Sequence, residues 1–390
     1  VSLLRLRRNG AKVAVMKKTP HGVDQFPAGG HPVIAGPGAL DTLQHLLEHE
    51  HAHRAVFVLG DENTLELAWP ELVTHVPALA AARTLQVRSG EGSKQLDTCR
   101  AVWEHLAEQG ADRQSLLLCL GGGVVTDLGG FVAATYMRGI ACVHVPTTLM
   151  GMVDAAIGAK CAIDLAGVKN LVGLFAPPIA TVVHPHFLRS LGKRELLNGV
   201  AEMIKHGLVR DAAHWKAVRR APLHDLEALA PLIRASAAIK AAVVEEDPRE
   251  EGPRKLLNFG HTIGHGLEAF ALEDDRVPLL HGEAVAIGMV CEAWLSWRLG
   301  HLDREKMDAV QEHLLSLFPV YPLQATDHHR VLELMRLDKK NRDGGFRFTL
   351  LGDIGHGIVD VPVTAAQVTD ALDHYRLLVR DAAKRHHPEA

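Results

Sequence analysis

Cysteine is scarce and scattered in this chain. There are five, Cys99, Cys119, Cys142, Cys161 and Cys291, an odd number with no Cys-x-x-Cys spacing among them. That argues against a disulfide framework and against a thiolate zinc site, and points to reduced, mostly buried thiols of a cytoplasmic protein. A basic excess is also missing. Forty-two Lys and Arg face 46 Asp and Glu, a formal net charge of −4. No nucleic-acid face is indicated, and any cationic site must be local. No apolar run approaches the roughly 18 residues of a membrane span. The opening stretch, VSLLRLRRNGAKVAVMKK, lacks a continuous apolar block of signal-peptide length and reads as a short extension or a first strand. Low-complexity linkers and internal repeats are absent too.

What is present fits a globular chain of about two domains. The chain has 390 residues, at roughly 150 per domain. Apolar residues make up 47% and charged residues 23%, enough to bury a substantial core. Histidine is plentiful at 25, but the runs at 45–54 and at the C-terminal end read as solvated surface.

Short apolar runs alternate with helical stretches through the first half. RAVFVLGDEN (54–63), SLLLCLGGG (115–123), ACVHVPTT (141–148) and IATVVHP (179–185) read as strands. SKQLDTCRAVWEHLAEQG (93–110) reads as a helix between them. Strand–helix–strand repetition predicts a doubly wound, Rossmann-like parallel sheet. From about residue 186 the β-rich runs stop, and RELLNGVAEMIKHGLV and EAVAIGMVCEAWLSWRLG read as amphipathic helices. The expected division is an α/β domain over 1–185 and an all-α domain over 186–390, with a ligand in the cleft between them.

Three motifs carry chemistry. GGGVVTD (121–127) places glycines between a strand and a helix start, where the backbone can approach a phosphate and helix N–H groups are free to meet it. The spacing is not the ordinary dinucleotide fingerprint. Thr147 and Thr148 at a strand end could serve phosphates or ribose, or cap a helix. Glu202 and Lys205 share a helix face amid apolar neighbours, as a salt bridge or as a site. Arg254, Asn258, His261 and His265 follow steps of four, three and four, predicting one polar stripe, and His281 precedes another apolar helix. Histidines with a carboxylate suggest a metal; His261 and His265 form the obvious pair, His281 and Glu202 are further candidates, and spacing does not select among them. Lys160, Lys169, Lys240, Lys339 and Lys340, with Asp154, could together clamp an anion bearing phosphate and carboxylate.

In order along residues 55 to 355, SGEGSKQ, GGGVVTD, YMRG, VPTTL, MVDAAIGAK, GVKN, RELLNGVAEMIKHG, RKLLNFGHTIGH, LLHGEAVAIGM and DKKN resemble the 3-dehydroquinate synthases, within the sugar-phosphate cyclase group. The resemblance implies a lyase of the shikimate pathway. It would convert 3-deoxy-arabino-heptulosonate 7-phosphate to 3-dehydroquinate and phosphate by transient NAD oxidation, elimination, re-reduction and aldol closure. It implies zinc or cobalt on Glu202, His261 and His281, with His265 assigned to substrate instead. It carries NAD contacts over to Asp61, Asn63, Glu91, Lys94, Gly122, Gly123, Val124, Asp127, Thr147 and Thr148. Catalytic roles fall on Asp154, Lys205, Lys240, Asn258 and His265. Substrate contacts fall on Arg138, Lys160, Lys169, Asn170, Arg254 and Lys340, with Arg138 reaching a neighbouring subunit's site in a homodimer. The chain departs from the family's GGKT at 158–161, where Ala159 adds a methyl group and Cys161 replaces a hydroxyl. The competing readings are a cyclase acting on sedoheptulose 7-phosphate or a hexose phosphate, a non-catalytic NAD- or metal-binding homologue, and a plain alcohol dehydrogenase.

Overall fold

Leu116–Gly121 (β6) is apolar along its length and buried at every position, as a strand covered on both faces must be. It lies at the centre of a mixed eight-stranded sheet in a computed structural model that describes residues 17–18, 23–166, 168–273, 278–337 and 345–386. The other strands are β1 (Lys17–Lys18), β2 (Asp24–Pro27), β3 (Pro32–Ala35), β4 (Val56–Asp61), β5 (Arg83–Val87), β7 (Ala141–Pro146) and β10 (Ala180–Val183). Their order is β1-β2-β3-β10-β7-β6-β4-β5. The first two pairings are antiparallel and the rest parallel. Each of the four runs read as strands from sequence forms one, and the run at 93–110 holds a helix, Leu96–Glu108.

From β4 onward the parallel strands follow the order 2-1-3-4-5, so the winding direction reverses between β4 and β6. The C-terminal ends flanking such a reversal open a crevice where ligands bind in doubly wound sheets. Here those ends are Asp61 and Gly121. A second hairpin, β8 (Lys160–Leu165) with β9 (Val168–Phe175), lies outside the main sheet. It covers the helix that follows β6, Gly123–Thr135 (α5).

Beyond the sheet the chain is largely helical, with α6 (Lys193–Arg210), α7 (Ala212–Arg220), α8 (Leu226–Glu246), α9 (His261–Glu273) and α10 (His281–Arg298) as its core elements. Helix α8 packs on β2, β3 and the turn at Gly151–Ala155, joining the two halves. One apolar core runs through both, from Val33 and Val182 on the sheet to Val285 and Met289 on α10. A second core, built from Phe57, Leu117, Leu128 and Ile163, fills the opposite face under α5.

Two expectations change. The β-rich runs do not stop at 186: β11 (Phe346–Asp353) pairs with β12 (His356–Val363) as a late hairpin packed on α6 and α10. The polar stripe from Arg254 to His265 is also not one helix. Arg254 and Asn258 belong to a 3-10 turn, Pro253–Asn258, and Gly260 at φ +81° breaks the chain before α9 begins at His261. A Cβ on Gly260 would stand 2.5 Å from Met289 Cγ, so close packing on α10 and a left-handed backbone both require glycine there.

Candidate functional site

The phosphate-sized turn is built by close approach. Gly122 precedes α5 with φ −73°, a conformation open to any residue, but a Cβ there would lie 2.9 Å from Thr148 Cγ2. No side chain caps α5, which leaves the first N–H groups of Gly123, Val124 and their neighbours pointing into the crevice. Thr147 N donates to Gly121 O at 3.0 Å and ties β7 to the turn. Thr148 Oγ1 accepts from Gly151 N at 3.1 Å, the capping alternative raised by the sequence. Across the crevice, Asp61 caps the helix Glu62–Leu67 through Thr64 N at 2.8 Å, and Asn63 is exposed on that helix.

Lys94 closes this side. Its Nζ meets Asp127 Oδ2 at 2.9 Å and Glu91 Oε1 at 3.4 Å, and its side chain is 5% exposed. Burial works against the ammonium, but the two carboxylates outweigh it and hold its pKa above the ordinary lysine value.

The second half of the site converges on Glu202. This carboxylate is fully buried on α6, touches the Lys205 ammonium, and receives no well-aligned hydrogen bond among the described residues. Its Oε1 faces His261 Nε2 at 3.6 Å and His281 Nε2 at 3.9 Å. Both rings have the other nitrogen occupied: His261 Nδ1 lies 3.2 Å from Phe259 O and His281 Nδ1 3.1 Å from Glu268 Oε2. Nδ1–H donation to these oxygens leaves each Nε2 as a lone-pair donor aimed at the Glu202 oxygen. His265 also meets both imidazoles, edge-on to His261 and tilted against His281, with ring centroids 5.2 and 5.7 Å away.

Cations surround this group. Lys240 Nζ meets Asp154 Oδ1 at 2.5 Å, with His206 Nε2 3.9 Å from the same oxygen. Burial would raise the Asp154 pKa, but Lys240 and Lys205 hold it well below the usual carboxylate range. Lys169 Nζ meets Glu268 Oε1 at 2.6 Å. Lys160 pairs with Glu250, which also accepts from Asn258 Nδ2 at 2.8 Å. Arg254 is buried, and its Nη1 and Nη2 donate to Pro248 O at 2.7 Å and Gly158 O at 3.0 Å.

These contacts bring Asp154, Lys169, Glu202, Lys205, Lys240, His261, His265 and His281 into one linked group, with Lys160, Arg254 and Asn258 around a second knot of contacts. Asn170 stands exposed on β9 with φ 53°, its N–H donating to Asp164 Oδ1 at 2.7 Å. Arg138 is exposed beyond the far end of α5, about 20 Å of helix from Gly123. Lys339 and Lys340 lie outside the described residues.

The chain matches the sequence family described as 3-dehydroquinate synthase N-terminal over residues 84–198, and its C-terminal counterpart over 199–341. The 3-dehydroquinate synthase of Parabacteroides distasonis is 42% identical over 326 residues, 82% of this chain and 91% of that protein. The chain belongs to the 3-dehydroquinate synthase family. The Halorhodospira halophila 3-dehydroquinate synthase is 40% identical, over 88% of this chain and 96% of that one. Among solved structures, the 2-epi-5-epi-valiolone synthase of Streptomyces hygroscopicus, with NAD+ and Zn2+ bound, superposes with a TM-score of 0.77 at 26% identity, over 93% and 99% of the two chains. A 2-deoxy-scyllo-inosose synthase at 23% identity shares the fold, with a TM-score of 0.79 over 90% and 99%.

Three residues of this linked group and its surroundings escaped the sequence reading: Glu250, Glu268 and His206. Glu268 had a usable signal, since it stands three residues after His265 and seven after His261 on one helix. Glu250 sits in a turn with φ 62°, and nothing in EEDPREE singles it out before the chain folds.

Proposed function

We propose that this chain is a 3-dehydroquinate synthase, a phosphate-eliminating cyclase of the shikimate pathway. It would turn 3-deoxy-arabino-heptulosonate 7-phosphate into 3-dehydroquinate and phosphate. The observation that carries the reading is the buried Glu202 carboxylate faced by two imidazole nitrogens, set among Lys205, Lys240 and Asp154 and across from a glycine turn that opens an uncapped helix.

That donor set fits a divalent cation: one carboxylate and two neutral imidazoles suit Zn2+ or Co2+, and a buried carboxylate without aligned hydrogen bonds gains a partner. When bound, the ion supplies polarisation of the alcohol to be oxidised, and NAD supplies reversible hydride acceptance. Glu202, His261 and His281 would hold the ion. Gly122, Gly123, Val124, Thr147 and Thr148 would cradle the dinucleotide phosphates, with Asp61, Asn63, Glu91, Lys94 and Asp127 placing the rest. Lys160, Lys169, Asn170, Arg254 and Lys340 would bind the substrate's anionic groups. Asp154, Lys205, Lys240, Asn258 and His265 would orient the ring and handle protons at its hydroxyls. The division into an NAD-binding part over 1–185 and a metal- and substrate-binding part over 186–390 belongs to the same reading.

A homodimer completes the proposal. The β8–β9 hairpin exposes Leu165, Val168, Leu171, Val172 and Phe175, an apolar surface suited to a second copy. Arg138 would reach the site of that copy. No helix among the described residues is long and apolar enough to cross a membrane. Five buried free cysteines suit a reducing cytoplasm.

The test is purified protein with NAD, Zn2+ or Co2+, and the heptulosonate phosphate, followed by phosphate release and product identification. Stoichiometric phosphate and 3-dehydroquinate with no net NADH support the reading. Turnover of sedoheptulose 7-phosphate in its place, or accumulation of NADH, would overturn it. In the same assay His261→Ala should lose metal and activity together, whereas His265→Ala should keep the metal and lose activity.

A further inference from the structure

Cysteine spacing along the chain gives no hint of a thiolate site, but the sheet builds one. Cys142 and His144 are two residues apart on β7, hence on the same face, and Cys119 of β6 stands directly opposite His144 in the parallel register. All three are buried, with Cys119 fully so and His144 4% exposed. Their ligand atoms lie within 4.8 Å of one another. Cys119 Sγ and Cys142 Sγ are 3.7 Å apart. A tetrahedral ion with bonds of about 2.3 Å to sulfur sets two thiolates about 3.8 Å apart, close to this spacing, whereas a disulfide needs about 2.0 Å.

The His144 imidazole faces the Cys142 thiol and the Ala156 backbone without a well-aligned hydrogen bond to either. A metal bond would give this buried ring a full partner. The helix above is shaped around the group. A Cβ on Gly129 would fall 2.2 Å from Cys119 Sγ, and one on Gly130 would fall 3.4 Å from His144 Nε2 and 3.0 Å from Cys161 Cβ. Two adjacent helix-interior glycines cost about 1 kcal/mol each relative to alanine, which the close approach offsets. Cys161 is one of the two residues, with Ala159, at which the chain departs from GGKT, and it adds a third thiol near the group.

We infer that Cys119, Cys142 and His144 form a second, soft-metal site for Zn2+ or a similar ion, separate from Glu202, His261 and His281. Binding displaces the thiol protons.

Cobalt distinguishes the two sites, because only this one contains sulfur. Protein produced with Co2+ in place of Zn2+, with thiols kept reduced, should hold two equivalents per chain and show a thiolate-to-cobalt charge-transfer band in the near ultraviolet. Cys119→Ser should lose the band and one equivalent while retaining the other. Cys161→Thr, outside the three ligands, should leave the band and both equivalents in place. Should either variant fail to fold, a mercurial thiol reagent on the wild type should release one of the two equivalents. A single equivalent with no charge-transfer band, or a band that survives in a Cys119→Ser/Cys142→Ser double variant, overturns the assignment.

Discussion

Glu268 Oε2 lies 3.1 Å from His281 Nδ1, while its other oxygen takes Lys169 Nζ at 2.6 Å. One carboxylate thus fixes the tautomer of a proposed metal ligand and places a proposed substrate lysine. Outer partners of this kind typically set metal affinity by about 10–100-fold. Glu268→Gln should therefore weaken metal binding by about that factor, measured by competition with a chelator, and should raise KM through Lys169. Unchanged metal affinity would confine Glu268 to holding Lys169.

The Lys94–Asp127 pair makes a different prediction. Lys94→Met leaves the Asp127 carboxylate without its partner in a half-buried crevice, a loss of about 3 kcal/mol in unfolding free energy. Asp127→Ala and Lys94→Met should both weaken NAD binding by calorimetry without changing metal content. Retained NAD affinity in both variants would move the dinucleotide elsewhere.

His214 on α7 gives a pH signature. It is buried, and burial brings its pKa from 6.5 down to about 4. Between those values the unfolded chain carries a proton here that the folded chain refuses, so stability falls as pH drops through the window and is regained above it. At about pH 5 the stability lost in this way is about 2 kcal/mol. Urea unfolding of the metal-free protein should show that the wild type loses about that much more than His214→Gln between about pH 7 and about pH 5. Equal losses would mean that His214 titrates normally in the fold.

Substrate choice should follow the Arg254 region. Arg254 gives one N–H each to Pro248 O and Gly158 O, which leaves three of its five guanidinium N–H donors for an anion; a substrate without a carboxylate forgoes about 1–3 kcal/mol for each one left unpaired. The heptulosonate should be preferred over sedoheptulose 7-phosphate by at least about a hundredfold in kcat/KM, about 3 kcal/mol. The structure adds a second handle on this preference. Gly158 has φ +117°, and a Cβ there would stand 2.3 Å from Arg254 Nη2. Gly158→Ala should displace the guanidinium and, like Arg254→Ala, remove most of the preference. Comparable kcat/KM for both sugars in the wild type would end this account.

Local pattern determined much of the protein. Continuous apolar runs such as LLLCLG can form only buried strands or buried helix segments, and their alternation with helical stretches imposed a parallel sheet. The glycine turn after β6 and the pairing of Glu202 with Lys205 were legible, because each depends on neighbours within a few residues. Motif order was equally local, and it carried the family.

Tertiary structure decided whatever joins distant residues. Steps of four, three and four suggested a single stripe from Arg254 to His265, but packing of Gly260 against Met289 of α10 breaks the helix there. Helical spacing offered His261 with His265, and the fold does gather those two with His281; that Glu202, 59 residues away on α6, also faces His261 and His281 is decided by packing alone. Glu250 reaches Lys160 across 90 positions, and Cys119 reaches Cys142 across 23. No period along a chain encodes such separations. They are set by which strands neighbour one another and by which buried polar groups must find partners once the core has closed.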